Sequence, residues 1–360
     1  MNQASTRMLK TVLTALHYSG IGSLFAPLTR GKGVIFTLHQ VQPDDGAAES
    51  SSPAFDPNRI LRITPKFLES ALLQVRASGF ETVSLDEAIE RIEGRSPSNK
   101  PFACFTFDDG YRDNRTHAYP VLKRYNVPFT IYVPTDFPDG RGELWWLVLE
   151  RVVRQSRAVI VQMAGELRTF VCITASEKLK TYDAIYWWLR SLPEDRARQV
   201  VRDLAAGANV DIAEICHGLI MTWDEIRELA EDPLVTIGAH TKRHYAVAKL
   251  TAPEARSEIA GSVARIEAEL DRPCRHFSFP YGDATSATKR DFNIAASLGL
   301  ASSVTTRKGL IMGSGRDEPM GLPRVSLNGD YQNRRYVEVL LTGAPFAFWN
   351  TFRRTAAATG

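Results

Sequence analysis

The sequence predicts an α/β protein built on a parallel sheet or barrel. Three observations lead there. Short apolar runs read as buried strands, among them GVIFTLHQV (33–41), PFACFTF (101–107), PFTIYVP (128–134), LVTIGAH (234–240) and CRHFSFPYG (274–282). Stretches of helical periodicity lie between these runs, which is the signature of a parallel arrangement. Several of the runs also end abruptly in residues that carry chemistry, as in FTFDDG, and in a parallel barrel the C-terminal strand ends form the active face.

Taken in order, the first strand ends at His39 and gives way to a Pro- and Ser-rich loop. ITPKFLESALLQVRASGF (63–80) is a helix from Pro65, with Thr64 as N-cap and Gly79 as its stop. ETVSLDEAIERIEG gives a short strand, then a helix capped by Ser84 or Asp86. PFACFTF, the helix NRTHAYPVLKRYNV and PFTIYVP continue the alternation. It breaks over roughly 138–220, which reads as a largely helical insertion with little strand signal. TWDEIRELAEDP, LVTIGAH, TAPEARSEIAGSVARIEAEL, CRHFSFPYG and ATKRDFNIAASLG resume it, and LASSVTT and LPRVSL are the last strands. The expected organisation is an N-terminal segment 1–32, a body 33–330 containing the insertion, and a tail 331–360.

Composition is that of a globular protein, with 44% apolar and 24% charged residues in 360. A net charge of +3 gives no reason to expect nucleic acid as partner. Cys104, Cys172, Cys216 and Cys274 are too far apart for a CxxC site and read as reduced core thiols, which fits a cytoplasmic protein. Leu9, Val12, Leu13 and Leu16 recur at helical spacing, so an amphipathic helix is expected to pack on the body or lie on a membrane surface. No run there reaches transmembrane length, and a secretory signal fits poorly. The C-terminal APFAFWNTFRRTAAATG mixes Phe346, Phe348, Trp349 and Phe352 with Arg353 and Arg354, which suits a membrane–water interface. Both ends together raise the expectation of a peripheral contact with the inner face of a membrane.

Asp108 and Asp109 close an apolar strand side by side. Two such carboxylates repel, and one pKa rises unless a cation intervenes. A divalent metal resolves this if one acid ligates it and the other serves as a base. His240 and His244 stand four residues apart at another strand end, a spacing that lets both face one ion. By itself HxxxH is more often a pair of surface histidines, and DG is a common turn. Two His plus one carboxylate is nonetheless a frequent ligand set for a metal that keeps positions open for water.

TFDDGYRDN, GAHTKRH and FSFPYGD, in this order, resemble the three leading motifs of the polysaccharide deacetylases, the NodB-homology domain or carbohydrate esterase family 4. The resemblance covers roughly 33–330. It implies a distorted (β/α)7 TIM-like barrel and metal-dependent removal of N-acetyl groups from an amino-sugar glycan: a polysaccharide, an oligosaccharide or a lipid-linked sugar. By position it implies Asp108 as general base, and Asp109, His240 and His244 as ligands of a divalent metal, with zinc expected and cobalt or nickel accepted. It gives Tyr281 as a backbone donor to the oxyanion. Tyr111, Arg112, Pro280 and Tyr281 are the candidates to line the substrate cleft, and Trp145 and Trp146 would either stack on sugars or fill the core of the insertion.

Two departures from the family pattern shape the expectations. The late-motif histidine that acts as acid is absent, since no histidine follows His276. VIFTLHQV resembles the first strand of permuted members, such as the biofilm poly-N-acetylglucosamine deacetylases, which makes His39 the candidate acid. Ser278 stands where many members carry an arginine; Arg275, three residues earlier, and Arg324 in LPRVSL are the candidates to replace it, with Arg324 preferred. Two rival readings remain: a metallohydrolase of a non-sugar amide, and a catalytically silent glycan-binding homologue.

Overall fold

The computed structural model describes residues 3–44, 55–313 and 317–347. Seven parallel strands close into a ring: β1 (Gly33–Leu38), β2 (Phe102–Asp108), β3 (Phe129–Val133), β4 (Val235–Ala239), β5 (His276–Ser278), β6 (Ser302–Lys308) and β7 (Met320–Ser326). Each strand lies beside its neighbours in sequence, and β1 closes the ring by pairing with both β2 and β7. A two-residue strand, Glu81–Thr82, pairs with the start of β2 below β3.

Strand periodicity decides what faces where. In β1 and β2, Val34, Phe36, Leu38, Ala103, Phe105 and Phe107 join the core shared with the helices. Ile35, Phe102 and Cys104 turn the other way and pack with Tyr132, Val304 and Leu322. The same inward row continues upward as Thr37, Thr106 and Asp108, so the barrel lumen is apolar at its floor and polar at its mouth. Helix α4 (Leu85–Ile92) plugs the floor with Leu85, Ile89 and Ile92. Its cap is the Ser84 side chain, which accepts from Glu87 N, and not Asp86.

Helix α3 (Pro65–Ala77) starts at Thr64 as the sequence indicates. The stretch after β2 does not form one regular helix. Asn114–Ala118 is a π-turn, and α5 (Tyr119–Arg124) begins only there, with Pro120 in its first turn. The insertion contains α6 (Trp145–Gln155), α7 (Ala175–Ser191), α8 (Glu194–Gly207) and α9 (Ile212–Leu219) around a separate apolar core. It also contains an antiparallel hairpin, Ala158–Met163 with Glu166–Val171. The turn is Ala164–Gly165, both with positive φ. Helix α10 (Trp223–Ala230) leads into β4, α11 (Ala252–Leu270) into β5 and α12 (Lys289–Ser297) into β6.

The N-terminal segment is two helices, α1 (Gln3–Ser19) and α2 (Ile21–Thr29), broken at Gly20 in the left-handed conformation. Leu13 is buried and Leu9 and Leu16 half-buried, so α1 packs on the body, but Val12 of the expected face is exposed. Residues of the expected tail form α13 (Arg334–Leu341), whose Val337 and Leu341 belong to the main core. Phe346 packs against that core, while Phe348, Trp349, Phe352, Arg353 and Arg354 lie outside the described residues. All four cysteines are buried and free.

Candidate active site

At the mouth of the barrel the two adjacent acids separate. Asp108 is the last residue of β2 and points inward with Thr106. Arg324 of β7 meets it in a bidentate pair, Nη1 donating to Oδ1 at 2.8 Å and Nη2 to Oδ2 at 2.6 Å. Arg324 is 1% exposed and spends its remaining hydrogen bonds on Thr305 O, Thr106 Oγ1 and Ser278 Oγ. A guanidinium has five N–H donors, and here five contacts satisfy it. The small Ser278 leaves the room that Arg324 fills, so the arginine missing from the third motif is replaced from a neighbouring part of the ring. Burial pushes the Asp108 carboxyl up, but Arg324 first and then His240 pull it below the ordinary carboxylate range. Asp108 is therefore an anion at neutral pH.

Asp109 follows with φ 76°, a conformation that non-glycine residues rarely hold. This reversal turns its carboxylate away from Asp108 and toward His240 and His244. Its Oδ1 lies 3.7 Å from His240 Nε2 and 3.3 Å from His244 Nε2. One ligand atom from each of the three residues lies within 4.8 Å of the others. His240 Nδ1 sits 2.6 Å from the Ser278 carbonyl, which only accepts, so Nδ1 carries the proton and the Nε2 lone pair faces Asp109. Burial pushes the His240 pKa down to about 4, so this imidazole is neutral at pH 7. Asp109 Oδ1 is buried with no hydrogen-bond partner. An orphaned carboxylate oxygen beside an imidazole lone pair is costly unless a cation sits between them. The residues thus fit a divalent metal on physical grounds.

Backbone strain gathers around this point. Asp109, Thr241, His244 and Tyr281 all have positive φ, from 58° to 76°. Such conformations cost on the order of 1–3 kcal/mol each and persist where the surroundings enforce them. The insertion supplies much of that enforcement. Trp145 Nε1 donates to the Tyr281 hydroxyl at 2.7 Å. The Arg190 guanidinium lies 3.6 Å over the Tyr281 ring, and Asp283 and Ser286 hold it there. Arg198 is buried and donates to the His244 carbonyl at 3.2 Å. Trp146 packs on the His244 ring at 5.0 Å between centroids.

His39 directly follows β1 and is half-buried. Its position at the C-terminal end of β1, beside the end of β2, puts it at the same mouth as Asp108 and Asp109. Its backbone is clamped by the turn that follows the neighbouring strand β2: Asn114 Nδ2 donates to His39 O at 2.6 Å, and Asp113 accepts from Val41 N at 3.1 Å and from Gln42 Nε2 at 3.2 Å. His276, by contrast, is a buried core histidine near the floor, with Nδ1 2.8 Å from Ser302 Oγ and Nε2 3.3 Å from Asp86 Oδ1.

Two expected substrate contacts are corrected. Tyr111 is 0% exposed, with its hydroxyl receiving Trp146 Nε1 at 3.3 Å and facing Asp109. It shapes the site from behind and offers no surface to a sugar. Arg112 grips Glu225 through Nε at 3.0 and 3.1 Å, and donates to the carbonyls of His217 and Gly218. It fastens the end of the insertion to α10, and its Nε and Nη1 donors are spent on that. Pro280 is buried, whereas Tyr281 is half-buried. Trp145 and Trp146 are buried in the insertion core rather than open to stacking.

Sequence reasoning passed over Arg190, Arg198 and Asn114. Asn114 stood at the end of the quoted first motif. The two arginines lie on helices rich in charge, where nothing local separates a buried arginine from a solvated one.

The model of the polysaccharide deacetylase family matches residues 95–302, more than half of the 360. The chain belongs to the polysaccharide deacetylase family. YxkH of Bacillus subtilis (strain 168), provisionally named a polysaccharide deacetylase, is 38% identical over 74 residues, a stretch that is 20% of this chain and 26% of that protein. Solved structures share the architecture. The deacetylase PplD of Streptococcus pyogenes, in complex with acetate, aligns at TM-score 0.53 and 15% identity, covering 86% of this chain and 96% of that one. IcaB from Ammonifex degensii aligns at 0.51 and 18%, covering 86% and 97%. A de-N-acetylase from Aggregatibacter actinomycetemcomitans aligns at 0.50 and 17%, covering 83% and 96%. At these identities the likeness establishes the closed seven-stranded barrel.

Proposed function

We propose that this chain is a metal-dependent N-deacetylase of an amino-sugar-containing glycan, releasing acetate and leaving a free amine. The carrying observation is the opposite fate of two adjacent buried acids. Asp109 presents an unpartnered oxygen to two imidazoles, while Asp108 is held ionised by Arg324. A pure binding protein has no use for that second, separately held carboxylate. Membership in the family and the barrel shared with named deacetylases support the same reading.

Asp109, His240 and His244 would hold the metal, and zinc suits a donor set of one carboxylate and two imidazoles, with cobalt or nickel as substitutes. A divalent ion there supplies Lewis acidity, polarising the amide carbonyl and acidifying water. Asp108 takes the proton of the attacking water, and Arg324 keeps its carboxylate aimed. The water oxygen bonds to the acetyl carbon. The Tyr281 peptide, turned by its φ of 60°, is the backbone donor that faces the growing oxyanion. As the C–N bond breaks, the departing nitrogen needs a proton, and His39 is the group at the mouth that gives it. Acetate and the amine then leave.

The test is acetate release from N-acetylglucosamine oligomers by metal-loaded protein. Asp108→Asn should lower turnover by about 10³-fold while the metal content stays unchanged. An unimpaired Asp108→Asn would sink the assignment of the base. Cleavage of simple amides with no release from any N-acetylated glycan would favour a non-sugar metallohydrolase.

A further inference from the structure

Helix α2 is docked by the wrong side for a protein surrounded only by water. Its small residues face the body. Gly22 is buried, where an added Cβ would crowd the Thr342 side chain, and Thr29 Oγ1 donates to the Thr342 carbonyl at 2.6 Å. Ala26 lies between them on the same helical face and is half-buried. A Cβ on Gly343 would collide with the Thr29 carbonyl, so the approach is close. The bulky residues of α2 point outward. Ile21, Leu24, Phe25 and Leu28 form an unbroken i, i+3, i+4, i+7 stripe, and all four are exposed, Leu24 at 76% and Leu28 at 79%. Isolated exposed leucines need no explanation, but a contiguous stripe on one helix does. Met8 and Val12 on α1 are exposed as well.

The charge around the stripe has one sign along the chain. Residues 1–43 contain Arg7, Lys10, Arg30 and Lys32 and not one Asp or Glu. Arg7 and Lys32 are exposed. Acids stand on the neighbouring flanks: Glu338 of α13, which faces His17 and has Arg334 and Arg335 beside it in sequence, and Asp317, which accepts from Met312 N and Gly313 N on the loop beside Lys32. Among the described residues no helix is long and apolar enough to cross a membrane. An apolar stripe bordered by cations on a short helix matches a surface of anionic lipid, with the helix lying in the plane of the headgroups.

We propose that α2 is a membrane-docking helix, inserting Ile21, Leu24, Phe25 and Leu28 into the interface of an anionic phospholipid bilayer. Lys32 and the other cations of the acid-free segment supply the preference for anionic headgroups. The helix enters β1 at the barrel floor, and Arg30 reaches the Ser78 carbonyl and the Phe80 ring at that same end. The stripe is therefore a strand's length, roughly 20 Å, from Asp108 and Asp109, and docking leaves the mouth uncovered.

Flotation of the full chain with phosphatidylglycerol-containing vesicles, against pure phosphatidylcholine vesicles, tests this. The wild-type chain should float with the anionic vesicles, and added salt should weaken that binding. The double variant Leu24→Glu/Leu28→Glu should bind at least about tenfold less, while its thermal unfolding stays that of the wild type because both side chains are exposed. Lys32→Glu should reduce the preference for anionic over neutral vesicles. Equal flotation of the double variant and the wild type overturns the proposal. So does a wild type that is dimeric in solution and becomes monomeric in the double variant, since a second copy then covers the stripe. A monomeric wild type that binds neither vesicle also overturns it.

Discussion

In the barrel, reactive groups follow from strand periodicity: Cys104, Thr106 and Asp108 point inward in turn, and Arg324 arrives at the same level from β7, on the other side of β1. Among the described residues, the insertion between β3 and β4 adds no ligand-type side chain to the Asp109, His240 and His244 cluster. It contributes two tryptophans and two arginines that grip Tyr281, His244 and Tyr111 from behind. The ring thus sets the charges, and the insertion sets the orientation of residues whose backbone is strained. The two regions should fail differently when damaged. Loss of a ring charge removes chemistry or stability outright, whereas loss of an insertion contact loosens the geometry and leaves the ligands in place.

The largest expected effect is at the ligands. Asp109→Asn should abolish metal retention, measured by elemental analysis, and lower turnover by more than about 10³-fold. Next is Arg324→Met, which leaves Asp108 buried without its partner. It should destabilise the fold by about 3–5 kcal/mol in urea denaturation, and Arg324→Lys should recover only part of that, because a single ammonium cannot reproduce a bidentate fork. The pair also has a signature in pH. The folded Asp108 pKa lies below its unfolded value of about 4, so the stabilisation is present above that value and lost as pH falls through the depressed folded one. Replacing Asp108 by Asn should flatten the acid limb of the stability curve; an unchanged limb would show that the pair does not govern it.

Arg198→Ala and Trp145→Phe test the insertion. Each should lower kcat by about tenfold with metal content intact. If either variant also loses the metal, the division between ring and insertion breaks down. Trp187 marks the low end. It sits on the same helix as Arg190 but is 64% exposed, so Trp187→Ala should change stability by less than about 0.5 kcal/mol and leave turnover alone.

The same contrast explains what could be read from the sequence. The ring was legible because a buried strand announces itself locally, and because acids, histidines and an arginine at apolar strand ends are conspicuous. Arg324 could be picked out as a lone cation in LPRVSL, although its partner was beyond reach. The insertion was harder. Its hairpin did carry a signal, since Val159, Val161 and Met163 are buried in alternation with exposed residues and Ala164–Gly165 makes the turn. The helical stretches on either side masked it. Arg198 lies in EDRARQVVRDL, where its period resembles that of its solvated neighbours, and only tertiary packing buries it. Tyr111 and Arg112 misled for the reverse reason. Adjacency to the acids in sequence placed them near the site, but not on the side open to substrate.

The most direct test is zinc titration of metal-stripped protein, followed by calorimetry and by acetate release from N-acetylated oligosaccharides in parallel. The structure predicts one ion bound per wild-type chain, acetate release rising in step with occupancy, and no tight binding in Asp109→Asn or His240→Ala. Full acetate release by the stripped protein, or undiminished zinc binding in both variants, would contradict it.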